Sequence, residues 1–126
     1  MKRILVILIS SLLFSLAAIA EETIFSKKSK ELWVLESENA FVLEDKYPQA
    51  TVHLLIISKD IVKSINEAPK GLLEEMLSLA KDAAKKYNIY ETGYRIVINT
   101  NKEGGQSIYH IHIHVLGGRQ MKWPLG

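Results

Sequence analysis

The run Tyr109-His110-Ile111-His112-Ile113-His114-Val115-Leu116 alternates imidazole and aliphatic side chains at a period of two. A strand sends successive side chains to opposite faces, so residues i, i+2 and i+4 share one face. Read as a strand, the run sets three of the chain's 4 histidines in one row. Ile111, Ile113 and Val115 are left for burial on the other side. The fold must therefore cover one face of this strand and leave the other open. Three groups that titrate near neutral pH make the open face the candidate active surface.

The rest of the chain supplies the cover. Glu31 to Glu36 and Ala40 to Leu43 are β-prone apolar runs around Ser37-Glu38-Asn39, the pattern of a hairpin. Tyr47-Pro48-Gln49-Ala50 is a break. Val52 to Ile57 is nearly continuously apolar, as expected of a central strand buried on both faces, with His53 its one polar member. The chain's one clear helix follows. Pro69 stands near its start, Leu72, Met76, Leu79, Ala80, Ala83 and Tyr87 recur at helical spacing, and Asn88 is placed to end it in a left-handed cap. Tyr94 to Asn99 is a further strand after Gly93, and Asn101 to Ser107 is a loop with Gly104-Gly105. Strands, helix, strands is the order of an α+β domain with an antiparallel sheet and one main helix. That helix would cover Ile111, Ile113 and Val115, and the histidines would line a groove on the open side.

The first twenty residues have the layout of an address. Lys2 and Arg3 precede the apolar runs Ile4 to Ile9 and Leu12 to Leu16, and Ala18-Ile19-Ala20 leads into Glu21-Glu22. This is the order of a secretory signal peptide, with cleavage expected after Ala20 and a periplasmic or secreted product. The alternative is an uncleaved membrane anchor, although the stretch is short for a span. Once the leader is cleaved, no stable membrane association is expected. Residues 21–126 then form a single domain without repeats or linkers. The chain has no cysteine, which excludes a lipid-anchored lipoprotein and suits an oxidising compartment. The leader takes Lys2 and Arg3 from the 16 basic residues and none of the 14 acidic ones, leaving 14 of each. A neutral domain gives no electrostatic case for nucleic-acid binding, so phosphate chemistry must come from a local site.

The row suits nucleophilic catalysis on phosphorus, in which a neutral imidazole attacks and one hard displacement becomes two easier ones. His112 is the natural nucleophile, with a histidine two residue rises away on either side, roughly 6.6 Å along a strand. His114 would face the leaving group or a phosphate oxygen, and His110 would orient the nucleophile. Gly104-Gly105 lets the backbone approach a ligand, and Gln106 and Ser107 add neutral donors. If the strand of His53 neighbours the row, its ring could fix a tautomer there. Zinc is the main rival chemistry, because histidines at i and i+2 can share an ion. A zinc site needs further ligands, however, and Glu103 is the only carboxylate close in sequence. No metal is therefore assigned.

His110-Ile111-His112-Ile113-His114-Val115-Leu116 resembles the histidine-triad motif. The block from Asn99 through Gly105-Gln106-Ser107-Ile108-Tyr109 to Gly117-Gly118-Arg119-Gln120-Met121-Lys122-Trp123-Pro124 is similar to the Hint branch, the histidine triad nucleotide-binding proteins. A looser likeness reaches Pro48-Gln49-Ala50, His53 and Ile24-Phe25. The resemblance implies a five-stranded antiparallel sheet with one main helix, joined in a homodimer into a continuous ten-stranded sheet. It also implies a purine-nucleotide-binding hydrolase that cleaves nucleoside 5′-phosphoramidates, adenosine 5′-monophosphoramidate above all, through a nucleotidyl-histidine intermediate and without a cofactor. A second possibility is a nucleotide-binding or interaction module with little catalysis.

Carried over by position, His112 would be the nucleophile. His114 and Ser107 would contact the α-phosphate and leaving group, supported by His110 and His53. Asn99, Gly105 and Gln106 would line the phosphate end, Asp45 would bind the ribose hydroxyls, and Ile24, Phe25 and Leu43 would frame the base. Trp123, in a tail reaching towards the partner subunit, would shape leaving-group selectivity. The chain departs from the pattern in a short, basic segment after Phe25 (Lys27, Lys28, Lys30), in Lys46 where an apolar base-pocket residue is common, and in Leu125 where a second proline is usual.

Overall fold

The computed structural model describes residues 22–125. The expected leader, residues 1–20, lies outside the described residues. Among the described residues no helix is long and apolar enough to cross a membrane. Five strands form one antiparallel sheet: β1 (Leu35–Glu36), β2 (Ala40–Glu44), β3 (Val52–Ser58), β4 (Tyr94–Val97) and β5 (His112–Gly117), in the spatial order β1-β2-β3-β5-β4. One α-helix, α1 (Leu72–Lys86), covers one face. This is the α+β architecture expected from the alternating histidine run and the single amphipathic segment.

The register shows why that run folds as it does. Leu55 pairs with His114 and Ile57 with His112, while Leu54 pairs with Val115 and Ile56 with Ile113. Directly paired residues share a face. Ile113 and Val115 therefore join Val42, Leu54 and Ile56 in a fully buried core against Met76, Ala80 and Ala83 of α1. Burying a side chain such as Ile113 contributes roughly 1.5–3 kcal/mol. The opposite face holds a smaller apolar cluster of Phe25, Phe41, Leu43, Leu55 and Ile57 beside the histidines.

α1 has Glu74 and Glu75 in its first turn and Lys85 and Lys86 in its last, both favourable with the helix dipole. Asn88 ends it at φ 58. The amide of Ile89 reaches back to the Ala84 carbonyl at 2.9 Å and that of Asn88 to Lys85 at 3.1 Å, the pairing that satisfies a helix's last carbonyls. Ile89 is thereby driven onto Gly117, where a Cβ would lie 2.7 Å from its Cδ1.

Three elements are shorter than the sequence pattern suggests, and one of them, β4, ends at Val97 where a strand to Asn99 is expected. Glu31 and Leu32 belong to a 3₁₀ turn, Lys30–Leu32, because the Ser29 side chain accepts the Glu31 amide and gives the backbone a local alternative to pairing. β5 begins at His112, not Tyr109, because β3 ends one residue beyond its last rung with β5. The Ile111 amide turns instead to the Val62 carbonyl at 2.6 Å.

Candidate active site

Between the histidine face and the loops lies a hollow of about 490 Å³. Of the residues singled out from sequence, it gathers His53, His112, His114 and Asp45, the loop residues Asn99, Gly105 and Ser107, and the apolar Ile24, Phe25 and Leu43. The loop depends on its glycines. Gly105 sits at φ 80, and a Cβ on Gly104 would collide with the Thr100 carbonyl.

Three expected residues stand elsewhere. His110 is fully buried beyond the end of β5. Gln106 is buried too, and its side chain is occupied as a staple: Oε1 accepts the Asn101 amide at 2.8 Å, and Nε2 donates to the carbonyls of Lys63 and Ile108. It holds the loop and offers no side-chain donor to the hollow. Trp123 is 70% exposed and lines a separate hollow with Arg95, Arg119 and Lys122. The two hollows meet at Gln49, whose carbonyl accepts from Arg119 at 2.8 Å. Leu55, Ile108, Lys28 and Tyr47 also line the main hollow. The sequence hides Leu55 because β3 is apolar on both faces.

The hydrogen bonds assign a tautomer to each histidine. His112 Nδ1 lies 2.7 Å from the His110 carbonyl. A carbonyl only accepts, so Nδ1 carries the proton and Nε2 presents its lone pair. His110 Nε2 donates to the Ser58 carbonyl at 2.7 Å, so its Nδ1 is the acceptor for the Thr23 hydroxyl at 2.6 Å. His53 Nδ1 accepts the Gln49 amide at 3.0 Å. His53 Nε2 therefore bears hydrogen and donates to His114 Nδ1 at 2.9 Å, with Asp45 Oδ2 at 3.3 Å. His114 is left with its proton on Nε2. The row thus offers a lone pair at His112 and an N–H at His114, on rings whose centres are 5.1 Å apart.

Burial disfavours the charged form of three of these rings, His53, His110 and His114. Burial pushes His114 down to about 4, helped by repulsion from His112 and His53 and opposed by Asp45. Burial also lowers His53, against the pull of Asp45. It lowers His110 against the Ser58 carbonyl, with His112 adding to the shift. Each depressed group binds fewer protons folded than unfolded. The stability it contributes is present above the unfolded histidine value of about 6.5 and is lost as pH falls through the folded one. Denaturant midpoints should therefore fall from pH 7.5 to pH 4.5. The His114 part, about 1–2 kcal/mol after discounting for partial exposure, should vanish in His114→Asn. A variant with the full pH dependence would refute the neutral, buried assignment.

The fold corrects one premise of the sequence reading. Glu103 is exposed on the loop, but Asp45 is a second carboxylate, and it lies at the row. Asp45, His53 and His114 each offer a ligand atom, all within 4.8 Å of one another. The hydrogen bonds argue against a metal there. A neutral imidazole that binds an ion through Nε2 carries its proton on Nδ1. His53 Nδ1 instead faces the Gln49 N–H, so the residues present do not fit a neutral-imidazole metal site.

The family model described as HIT domain matches residues 26–121. The purine nucleoside phosphoramidase of Escherichia coli (strain K12) is 40% identical over 114 residues, 85% of this chain and 92% of that one. The crystal structure of a HIT family hydrolase from Legionella pneumophila Philadelphia 1 is 42% identical, with a TM-score of 0.76, and the match covers 83% of this chain and 100% of that chain. A zinc-bound histidine triad family protein from Mycobacterium smegmatis is 27% identical, with a TM-score of 0.62, over 70% of this chain and 66% of that one.

Proposed function

The chain belongs to the HIT domain family, a family with hydrolase members, and from that premise we propose that it is a Hint-like purine nucleoside phosphoramidase. The observation that carries this reading is the assigned pair of ring nitrogens, a lone pair on His112 and an N–H on His114, facing one hollow. The kinship with the E. coli phosphoramidase supports the choice of substrate.

His112 Nε2 attacks the α-phosphorus as the P–N electron pair leaves with nitrogen. The departing nitrogen takes a proton from solvent through the Ser107 hydroxyl and leaves as the neutral amine. The adduct on His112 is cationic, and its Nδ1–H remains bonded to the His110 carbonyl. His114 Nε2–H donates to the phosphoryl oxygen as charge builds there. Water then attacks phosphorus from the vacated side and releases the nucleoside monophosphate. His112 recovers its lone pair, and the borrowed proton returns to solvent. Asn99 and the loop amides bracket the phosphate, Asp45 takes the ribose hydroxyls, and Ile24, Phe25 and Leu43 enclose the purine.

The purified protein should release AMP from adenosine 5′-monophosphoramidate. Saturable AMP binding without turnover would leave a binding module instead. A second reading rests on the Asp45–His53–His114 cluster and on the zinc-bound mycobacterial relative. It requires a chelator to abolish activity and zinc to restore it, whereas activity here should survive chelation. The outer edge of β4 is unpaired among the described residues, and we assign it to a second copy, giving a dimer with one continuous sheet. A monomer mass by sedimentation at assay concentrations would exclude that. Export is the remaining part of the proposal, and N-terminal sequencing of the cellular protein should begin at Glu21.

A further inference from the structure

We propose that Thr23 is a positioning residue that keeps the His112 lone pair directed into the hollow. The inference rests on His112 being the nucleophile, as proposed above. His110 is fully buried, and both of its ring nitrogens need partners. Nε2–H has the Ser58 carbonyl, and Nδ1 has the Thr23 hydroxyl at 2.6 Å, 87 residues away in sequence. The main-chain carbonyl of the same His110 holds His112 Nδ1–H. His110 therefore links a distant hydroxyl to the tautomer of the reacting ring.

Thr23 is itself fixed. Its amide donates to Ser26 Oγ at 2.9 Å, the Ser26 hydroxyl donates to its carbonyl at 2.9 Å, and its own oxygen accepts the Ser26 amide at 3.3 Å. This closed turn presents Phe25, which meets His110 and His112 edge-on with ring centres 5.8 and 4.9 Å away. One hydroxyl thus ties the apolar wall of the hollow to the histidine row.

Without that hydroxyl, His110 Nδ1 is a buried acceptor with no donor. The ring can relieve this only by turning Nδ1 towards another donor, which abandons the bond to Ser58. The residue then shifts, and its carbonyl loosens from His112. Once released, His112 can place its proton on Nε2 and lose the attacking lone pair.

The test uses the full chain with Thr23→Val, which keeps shape and removes the hydroxyl, and Thr23→Ser, which keeps the hydroxyl and removes the methyl. Thr23→Val should lower kcat about 10- to 100-fold, the scale of one buried polar group left unpaired, with KM nearly unchanged. Thr23→Ser should keep most of the activity. Nitrogen-15 spectra of the ligand-free protein should show His112 protonated on Nδ1 in the wild type and in Thr23→Ser, and a mixture of tautomers in Thr23→Val. An unchanged His112 tautomer in Thr23→Val, or equal losses in both variants, would overturn the proposal. The spectra need no substrate, so they decide the role of Thr23 even if no phosphoramidate is turned over.

Discussion

Replacing His112 with alanine is expected to abolish phosphoramidate turnover, lowering kcat by roughly 10⁴-fold or more, the scale seen when a covalent nucleophile is removed. The effect should be large because nothing nearby can substitute. His114 carries hydrogen on the nitrogen that faces the hollow and is held neutral with its pKa near 4. Buried His110 has both nitrogens engaged, and His53 points one nitrogen at Gln49 and the other at His114. Only His112 combines a free lone pair with a bonded N–H that can hold the positive charge of an adduct. Acid-quenched wild-type protein should carry the mass of one nucleoside monophosphoryl group, and His112→Ala should carry none. Normal steady-state rates in His112→Ala would sink the mechanism.

His114→Ala is expected to cost roughly 10²–10⁴-fold in kcat, the range for a lost proton or oxyanion donor. The way the loss spreads across substrates is as informative as its size. If His114 Nε2–H stabilises the phosphoryl oxygen, basic and weakly basic leaving amines should suffer alike. A loss confined to basic leaving groups would mean that His114 protonates the amine directly, and it would reverse the part given to Ser107. The substitution also strips His53 Nε2–H of its acceptor, leaving Asp45 at 3.3 Å as the remaining partner.

Much of this architecture is legible in the letters. The alternation of histidine with isoleucine and valine places the row opposite the helix, and the spacing of Leu72, Met76, Leu79, Ala80 and Ala83 marks the faces that meet. His53 is expected to reach the row only if its strand neighbours the histidine strand; β3 and β5 are neighbours, and His53 lies 2.9 Å from His114. What the letters conceal has a physical reason in each case. The tautomers of His53, His110 and His112 are set by the Gln49 amide and by the carbonyls of Ser58 and His110, main-chain groups common to all residues but proline, which lacks the N–H, and they leave almost no mark on composition. Gln106 reads as a donor to a ligand because its amide is polar, but three backbone partners consume it, one of them the distant Lys63 carbonyl. Thr23 lies far along the chain from His110, and only the folded sheet brings them into contact.

Because main-chain atoms at positions 49 and 58 orient the row, those two sites can drift. Any residue at 58 small enough for its buried place still presents a carbonyl to His110, and almost any at 49 still presents an amide to His53. Proline at 49 is the exception, since it has no N–H to give. Relatives could therefore differ at both letters and share one proton arrangement. A lineage that acquired proline at 49 would have exchanged it for another without altering a single histidine.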